Sequence, residues 1–206
     1  GLVIPDVNTH QLKLQQGTPL QLISVGRVHW VKDYPTAIKA CKILKEHEID
    51  FHYTIIGALG DEETLFLVHE LGLSDHVTLT GKMTQDQVFK EVQNADLMLL
   101  PSIEEGIANV AVEAMALGTP VISTDCGGMQ ELITHHKEGW IVPIRNPKAM
   151  AHQVMQFQSL EADKISSIIK AARRKVEQQH SKKQMIKEIL GLYKQLRGST
   201  MLIDNY

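Results

Sequence analysis

"DLMLLPSIEEGIANVAVEAMALGTPVISTD", residues 96–125, carries the pattern that decides the fold. It opens with a short apolar run at 96–102 and passes through a loop holding two acids and a glycine. It then reads as an apolar helix over 106–117. After Gly118-Thr119-Pro120 it ends in a second short apolar run at 120–125. Apolar runs this brief, bounded by Pro and Gly, are the signature of buried strands. A strand, a helix and a strand joined by tight loops form a parallel βαβ unit.

The same alternation continues outward in both directions. Strand patterns fall at 20–26, 51–57, 77–81 and 140–143. Helical patterns fall at 33–48, 61–73, 84–95, near 128–135, and at 147–159, 161–178 and 182–197. In 33–48, Ala37, Ala40, Cys41 and Leu44 share one face. The 61–73 segment has acids in its first turn and Gly72 near its end, and 84–95 opens on a Thr cap. The expected fold class is therefore α/β: a Rossmann-like, doubly wound parallel sheet of about six strands with helices on both faces. In such sheets ligands bind beyond the carboxyl ends of the strands, where the strand order reverses.

Composition agrees with a globular domain. Of 206 residues, 43% are apolar and 22% charged, and aromatics at 5% predict an aliphatic core. The net charge of −3 argues against nucleic acid as a partner. The charge is uneven: residues 1–160 carry 11 basic against 19 acidic groups, and residues 161–206 carry 10 against 5. A basic tail suits a solvated helix face or peripheral contact with an anionic membrane. Cys41 and Cys126 make no disulfide framework, and no run of 18 apolar residues suggests a membrane span. The opening "GLVIPDVNTH" lacks the pattern of a signal peptide and reads as the start of a piece of something longer. The expected location is cytoplasmic.

Chemistry should then sit on the strand ends. "SVGRVHWVKDY" ends the first strand at Gly26, where bare backbone can approach a ligand. Arg27 and Lys32 follow five residues apart. Together they suit a diphosphate, Arg as a bidentate fork and Lys as a point charge, although singly each is an ordinary surface cation. His29 and Trp30 lie between them, to pack on a partner domain or cover the sheet edge. "IIGALGDEE" holds Gly57 and Gly60 but not the G-x-G-x-x-G fingerprint, and it follows the second strand, which speaks against a nicotinamide dehydrogenase. "TGKM" offers Lys82 and Met83 to a base. "PSIEEG" sets Glu105 at an expected helix start, where the N–H groups of Gly106, Ile107, Ala108 and Asn109 would face an anion. Alone, Glu105 reads as a helix-start acid. Glu113 stands among apolar neighbours and calls for a polar ligand or partner. If 105–113 is continuous helix, the two carboxylates are about 12 Å apart along its axis, close to the span of a nucleotide diphospho-sugar from hexose to ribose.

Taken together, "SVGR…K", "LPSIEEG…VAVEAMALGTPVISTDCGG…E" and their spacing resemble the retaining glycosyltransferases of the GT-B fold, family 4 (glycosyl transferases group 1). The resemblance covers roughly residues 20–197. It implies that Arg27 and Lys32 bind the donor diphosphate and that Glu105 contacts the donor sugar near its reacting carbon. These three are the expected catalytic residues. It further implies that Glu113 binds the ribose, that the backbone from Gly106 to Val110 grips sugar and phosphate, and that Lys82 and Met83 meet the base. Asp33 stands where many relatives have Gly.

The resemblance also divides the chain. Residues 1–19 become an interdomain linker remnant and 20–178 the nucleotide-sugar-binding domain. Residues 179–206 become a C-terminal helix crossing back to a missing N-terminal acceptor domain, with Met185, Ile189, Leu192, Tyr193 and Leu196 on its apolar face. Implied too are retention by front-face attack, with the leaving phosphate taking the acceptor proton, and an isolated domain inactive by itself. No cofactor is expected beyond the donor. A UDP-sugar such as UDP-glucose is favoured over GDP- or ADP-sugars because such donors are common in the resembled family. The acceptor would be a glycan or lipid-linked sugar. No metal is expected: there is no Asp-x-Asp pair, and adjacent His135 and His136 are poor chelators. Two alternatives stay open, a GT-B sugar-nucleotide epimerase and a non-catalytic nucleotide-sugar-binding domain.

Overall fold

A computed structural model describes residues 18–180 of the chain. Six strands run through them: β1 (Leu20–Val25), β2 (Phe51–Ile56), β3 (Val77–Thr80), β4 (Leu97–Leu100), β5 (Val121–Thr124) and β6 (Trp140–Val142). The helices are α1 (Tyr34–Glu46), α2 (Glu62–Glu70), α3 (Gln85–Asn94), α4 (Asn109–Leu117), α5 (Met129–Leu132), α6 (Pro147–Gln158) and α7 (Ala162–Gln179), with a 3-10 turn at Trp30–Lys32. All strand pairs are parallel, in the order β3-β2-β1-β4-β5-β6. The order reverses between β1 and β4, so the topological switch point lies between their carboxyl ends. The doubly wound Rossmann-like sheet expected from the sequence is the observed fold.

Alternation along each strand feeds two cores. Leu22, Tyr53, Leu97, Leu99 and Ile122 face a core closed by α1, α2 and α6. Ile23, Ile56, Met98, Leu100 and Val121 face one closed by α3, α4 and α5. Helices cover both faces, so central β4 (LMLL) reads as an unbroken apolar run, while β1, β2 and β3 admit Gln21, His52, Thr54 and Thr78 at less buried positions. Helix α7 serves both: Ile165, Ile168 and Ile169 pack into the first core, Ala172 and Val176 into the second. Cys41 lies in the first core, and burial pushes its thiol pKa up.

Two helices differ from their expected bounds for identifiable reasons. Helix α4 begins at Asn109, not at 106, and its N-cap Ala108 is extended (φ −70°, ψ 115°). The preceding backbone is tied elsewhere. Ile103 N–H donates to Val31 O at 2.7 Å, and Glu105 O accepts from Gly128 N–H at 3.2 Å. Ala108 N–H points at Met129 Sδ, 3.5 Å away. The helix expected near 128–135 shrinks to one turn, α5. The chain turns extended at Ile133, and the buried Glu138 carboxylate takes Thr134 N–H at 3.0 Å. The expected linker up to residue 17 and the expected helix at 182–197 lie outside the described residues.

Candidate functional site

The loops leaving β1 and β4 meet at the switch point. Gly26 is held by its N–H on Ile56 O (3.0 Å) and by Tyr34 Oη donating to its carbonyl (2.8 Å). Burial, and then the charge of Glu105, push the Tyr34 pKa up, so the phenol keeps the proton it donates. Beyond Gly26, Arg27 is exposed and Lys32 half-buried at the end of the 3-10 turn. Gly26, Arg27, His29 and Lys32 line a cleft of about 550 Å³, whose far wall is Val110 of α4. Trp30, between the lining residues His29 and Val31, is 65% exposed, its ring 5.8 Å from that of His29.

Glu105 is bound to this loop across 73 residues of chain. Lys32 Nζ meets its Oε1 at 2.5 Å, and Ser102 Oγ donates to the same oxygen at 3.1 Å. Glu105 is therefore not the helix-start acid that local sequence suggests. It lies four residues before α4 and serves as counter-ion to Lys32. Its backbone is seated by the Gly127-Gly128 turn. At Gly127 (φ +54°) an added Cβ would meet the Glu105 carbonyl oxygen at 1.8 Å, so only glycine allows the approach.

Glu113 sits on α4, half-buried, with Gln85 Nε2 donating to its Oε1 at 3.4 Å. Burial raises its pKa, and the Gln85 contact works the other way. Because α4 starts at Asn109, only four residue steps of helix lead to Glu113, a rise of about 6 Å. The 12 Å helical ruler between the two glutamates does not hold. Lys82 is exposed, and Met83 packs partly on the second core; neither lines the cleft. The link between their loop and α4 is Gln85, the first residue of α3.

The segment between the glutamates is mixed. Gly106 and Asn109 are exposed and Ile107 is half-buried. Ala108 is buried, its N–H directed at Met129 Sδ. Helix α4 has no acid in its first turn and no side-chain cap, so its positive end stands unneutralised beside the cleft. Sequence reading missed Ser102, Thr124 and Gln85. Ser102 is fully buried, and its carbonyl accepts the Thr124 hydroxyl. The available signal was position: Ser102 and Thr124 stand at the carboxyl ends of adjacent strands.

Comparisons with known proteins follow the same lines. The family model described as glycosyl transferases group 1 matches residues 8–175. A putative colanic acid biosynthesis glycosyltransferase, WcaL of Escherichia coli (strain K12), is 36% identical over 186 residues, covering 87% of this chain and 46% of the relative. The amylovoran biosynthesis glycosyltransferase AmsK of Erwinia amylovora is 38% identical over 183 residues, covering 84% and 44%. The chain thus spans about half the length of the curated relatives it matches. Among solved structures, a glycosyltransferase from Rickettsia africae ESF-5 superposes with a TM-score of 0.77 at 24% identity, over 87% of this chain and 48% of that one. Anabaena HepE, solved with UDP and glucose, gives a TM-score of 0.76 at 19% identity, over 90% and 52%. These two likenesses are of fold.

Proposed function

The chain belongs to the glycosyl transferases group 1 family, and from that premise we propose that its switch-point cleft holds a nucleotide diphospho-sugar for hexosyl transfer. The observation that carries this reading is the meeting of Arg27, Lys32 and Val110 in one cleft, with Glu105 fastened to Lys32, beside an unneutralised helix end. Arg27 and Lys32 take the diphosphate, and their charge stabilises it as it leaves. The exposed backbone at Gly106 and Asn109 and the start of α4 around Val110 add N–H donors. Glu105 orients the sugar. Glu113 takes the ribose hydroxyls, with Lys82 and Met83 at the base.

UDP is the favoured nucleotide, a choice supported by the UDP in the HepE structure. The names of WcaL and AmsK support a polysaccharide product. The half-length match to these relatives supports an acceptor held by a second domain. In this reading, which follows the family resemblance, residues 1–19 join that domain, 179–206 contact it, and transfer requires both domains and proceeds with retention and without a metal. Isothermal titration of the chain with UDP, GDP, ADP and their glucose conjugates tests the donor site. UDP is expected to bind, and Arg27→Ala to weaken it roughly tenfold to a hundredfold, the range of a hydrogen bond to a charged group. Glu113→Ala is expected to bind UDP and 2′-deoxy-UDP alike. No binding of any of the three nucleotides sinks the proposal.

A further inference from the structure

We propose that Ser102 is a positioning residue that holds the Glu105 carboxylate in register, so that donor-sugar recognition runs through a buried hydroxyl no ligand touches. The proposal rests on the donor-site reading above. Ser102 follows β4 and is 0% exposed. Its Oγ has one proton, and a carboxylate oxygen can only accept, so Ser102 donates to Glu105 Oε1. The serine is itself anchored: the Thr124 hydroxyl, also 0% exposed, donates to the Ser102 carbonyl. The chain of contacts therefore runs from the end of β5 through the end of β4 to the cleft.

The geometry divides the two carboxylate oxygens. Oε1 takes both Lys32 Nζ and Ser102 Oγ. Among the described residues no hydrogen bond is recorded to Oε2, which is left for a ligand. With Lys32 alone, a flexible ammonium on a long stem, the carboxylate could rotate and exchange its oxygens. The second, rigid donor removes that freedom. Lys32 spends one of its three N–H donors on Glu105 and keeps two for phosphate. Ser102 thus belongs to sugar recognition and not to diphosphate binding.

Two measurements on the chain test this. In the ligand-free protein, the Lys32 ammonium is expected to give a slowly exchanging ¹⁵N–¹H signal that Ser102→Ala broadens away and Ser102→Thr restores. In titrations with UDP and UDP-glucose, Ser102→Ala is expected to weaken UDP-glucose about tenfold while changing UDP less than twofold. Added to Glu105→Gln, which itself removes the preference for UDP-glucose over UDP, Ser102→Ala is expected to do nothing more. An unchanged ammonium signal, or equal weakening of UDP and UDP-glucose, overturns the role for Ser102 and leaves the donor site standing. A wild type that binds neither UDP nor UDP-glucose overturns the donor reading and this inference with it. Equal wild-type affinity for the two ligands overturns the inference alone.

Discussion

The loop after β2 and the loop after β4 leave the same edge of the sheet and dispose of their polar groups in opposite ways. After β2, the N–H groups of Gly57, Ala58 and Leu59 converge on one carbonyl, that of Thr80, at 2.9 to 3.0 Å. Asp61 then caps α2 by accepting Thr64 N–H, and Glu62 and Glu63 occupy its first turn. This helix end is neutralised by its own residues. After β4, the Glu105 carboxylate reaches to Lys32, and α4 starts with neither cap nor acid. The first loop is complete in itself. The second holds its charge for a residue distant in sequence and leaves a positive helix end facing a cleft. A glycine at a strand end does not distinguish them. Gly57 exists for close packing, since a Cβ there would meet Gly26 O at 2.7 Å.

The sharpest way to break the comparison is Gly127→Ala. The new methyl would meet Glu105 O at 1.8 Å, at a positive φ that alanine disfavours. We expect a loss of about 3 kcal/mol in urea unfolding, together with loss of UDP binding. Retained UDP affinity would show that the β4 loop is not the ligand's seat. Asp61→Ala tests the other loop. Removing this cap should cost about 1 kcal/mol in the same unfolding assay and leave UDP affinity unchanged.

Glu113→Gln should have the smallest effect on stability, and of opposite sign. Burial raises the Glu113 pKa above 4.5, so between pH 4.5 and its folded value the native state binds more protons than the unfolded one. Stability therefore falls as pH rises through that interval, and the deficit persists at neutral pH. The variant should melt slightly above wild type at pH 7 and equal to it below pH 4.5. An unshifted melting temperature at pH 7 would mean the carboxylate is not held at a cost.

Glu138 shows the structural use of the same residue type. It is buried, and burial alone would raise its pKa. The Thr134 contacts, the Lys137 pair at 3.2 Å and the Lys175 pair at 3.9 Å outweigh this and hold the carboxyl below its ordinary value. Nothing in "HKEGW" distinguishes this glutamate from Glu105. The partners do, and Lys175 comes from a helix 37 positions along the chain.

The legible part of the molecule was the part governed by local rules. Six strands followed from short apolar runs because both faces of the sheet are covered. Helix α3 followed from Thr84, whose hydroxyl closes a capping box with Gln87. The start of α4 was misjudged because its register is set by bonds to Val31, Gly128 and Met129, none of them local. Val110 was expected at the site from the resemblance, but that it shares a cleft with Arg27 and Lys32 depends on β1 and β4 lying side by side, which no local pattern shows.

By itself, then, the sequence determined the sheet, its two helix-covered faces and the candidate cations at its first strand end. These depend on periodicity and turn chemistry, which act over a few residues. Tertiary structure alone decided which oxygen of Glu105 is occupied, which glycine admits its backbone and which buried hydroxyl holds it. Those outcomes depend on the parallel register of β1, β4 and β5, which brings the ends of distant segments within hydrogen-bond reach.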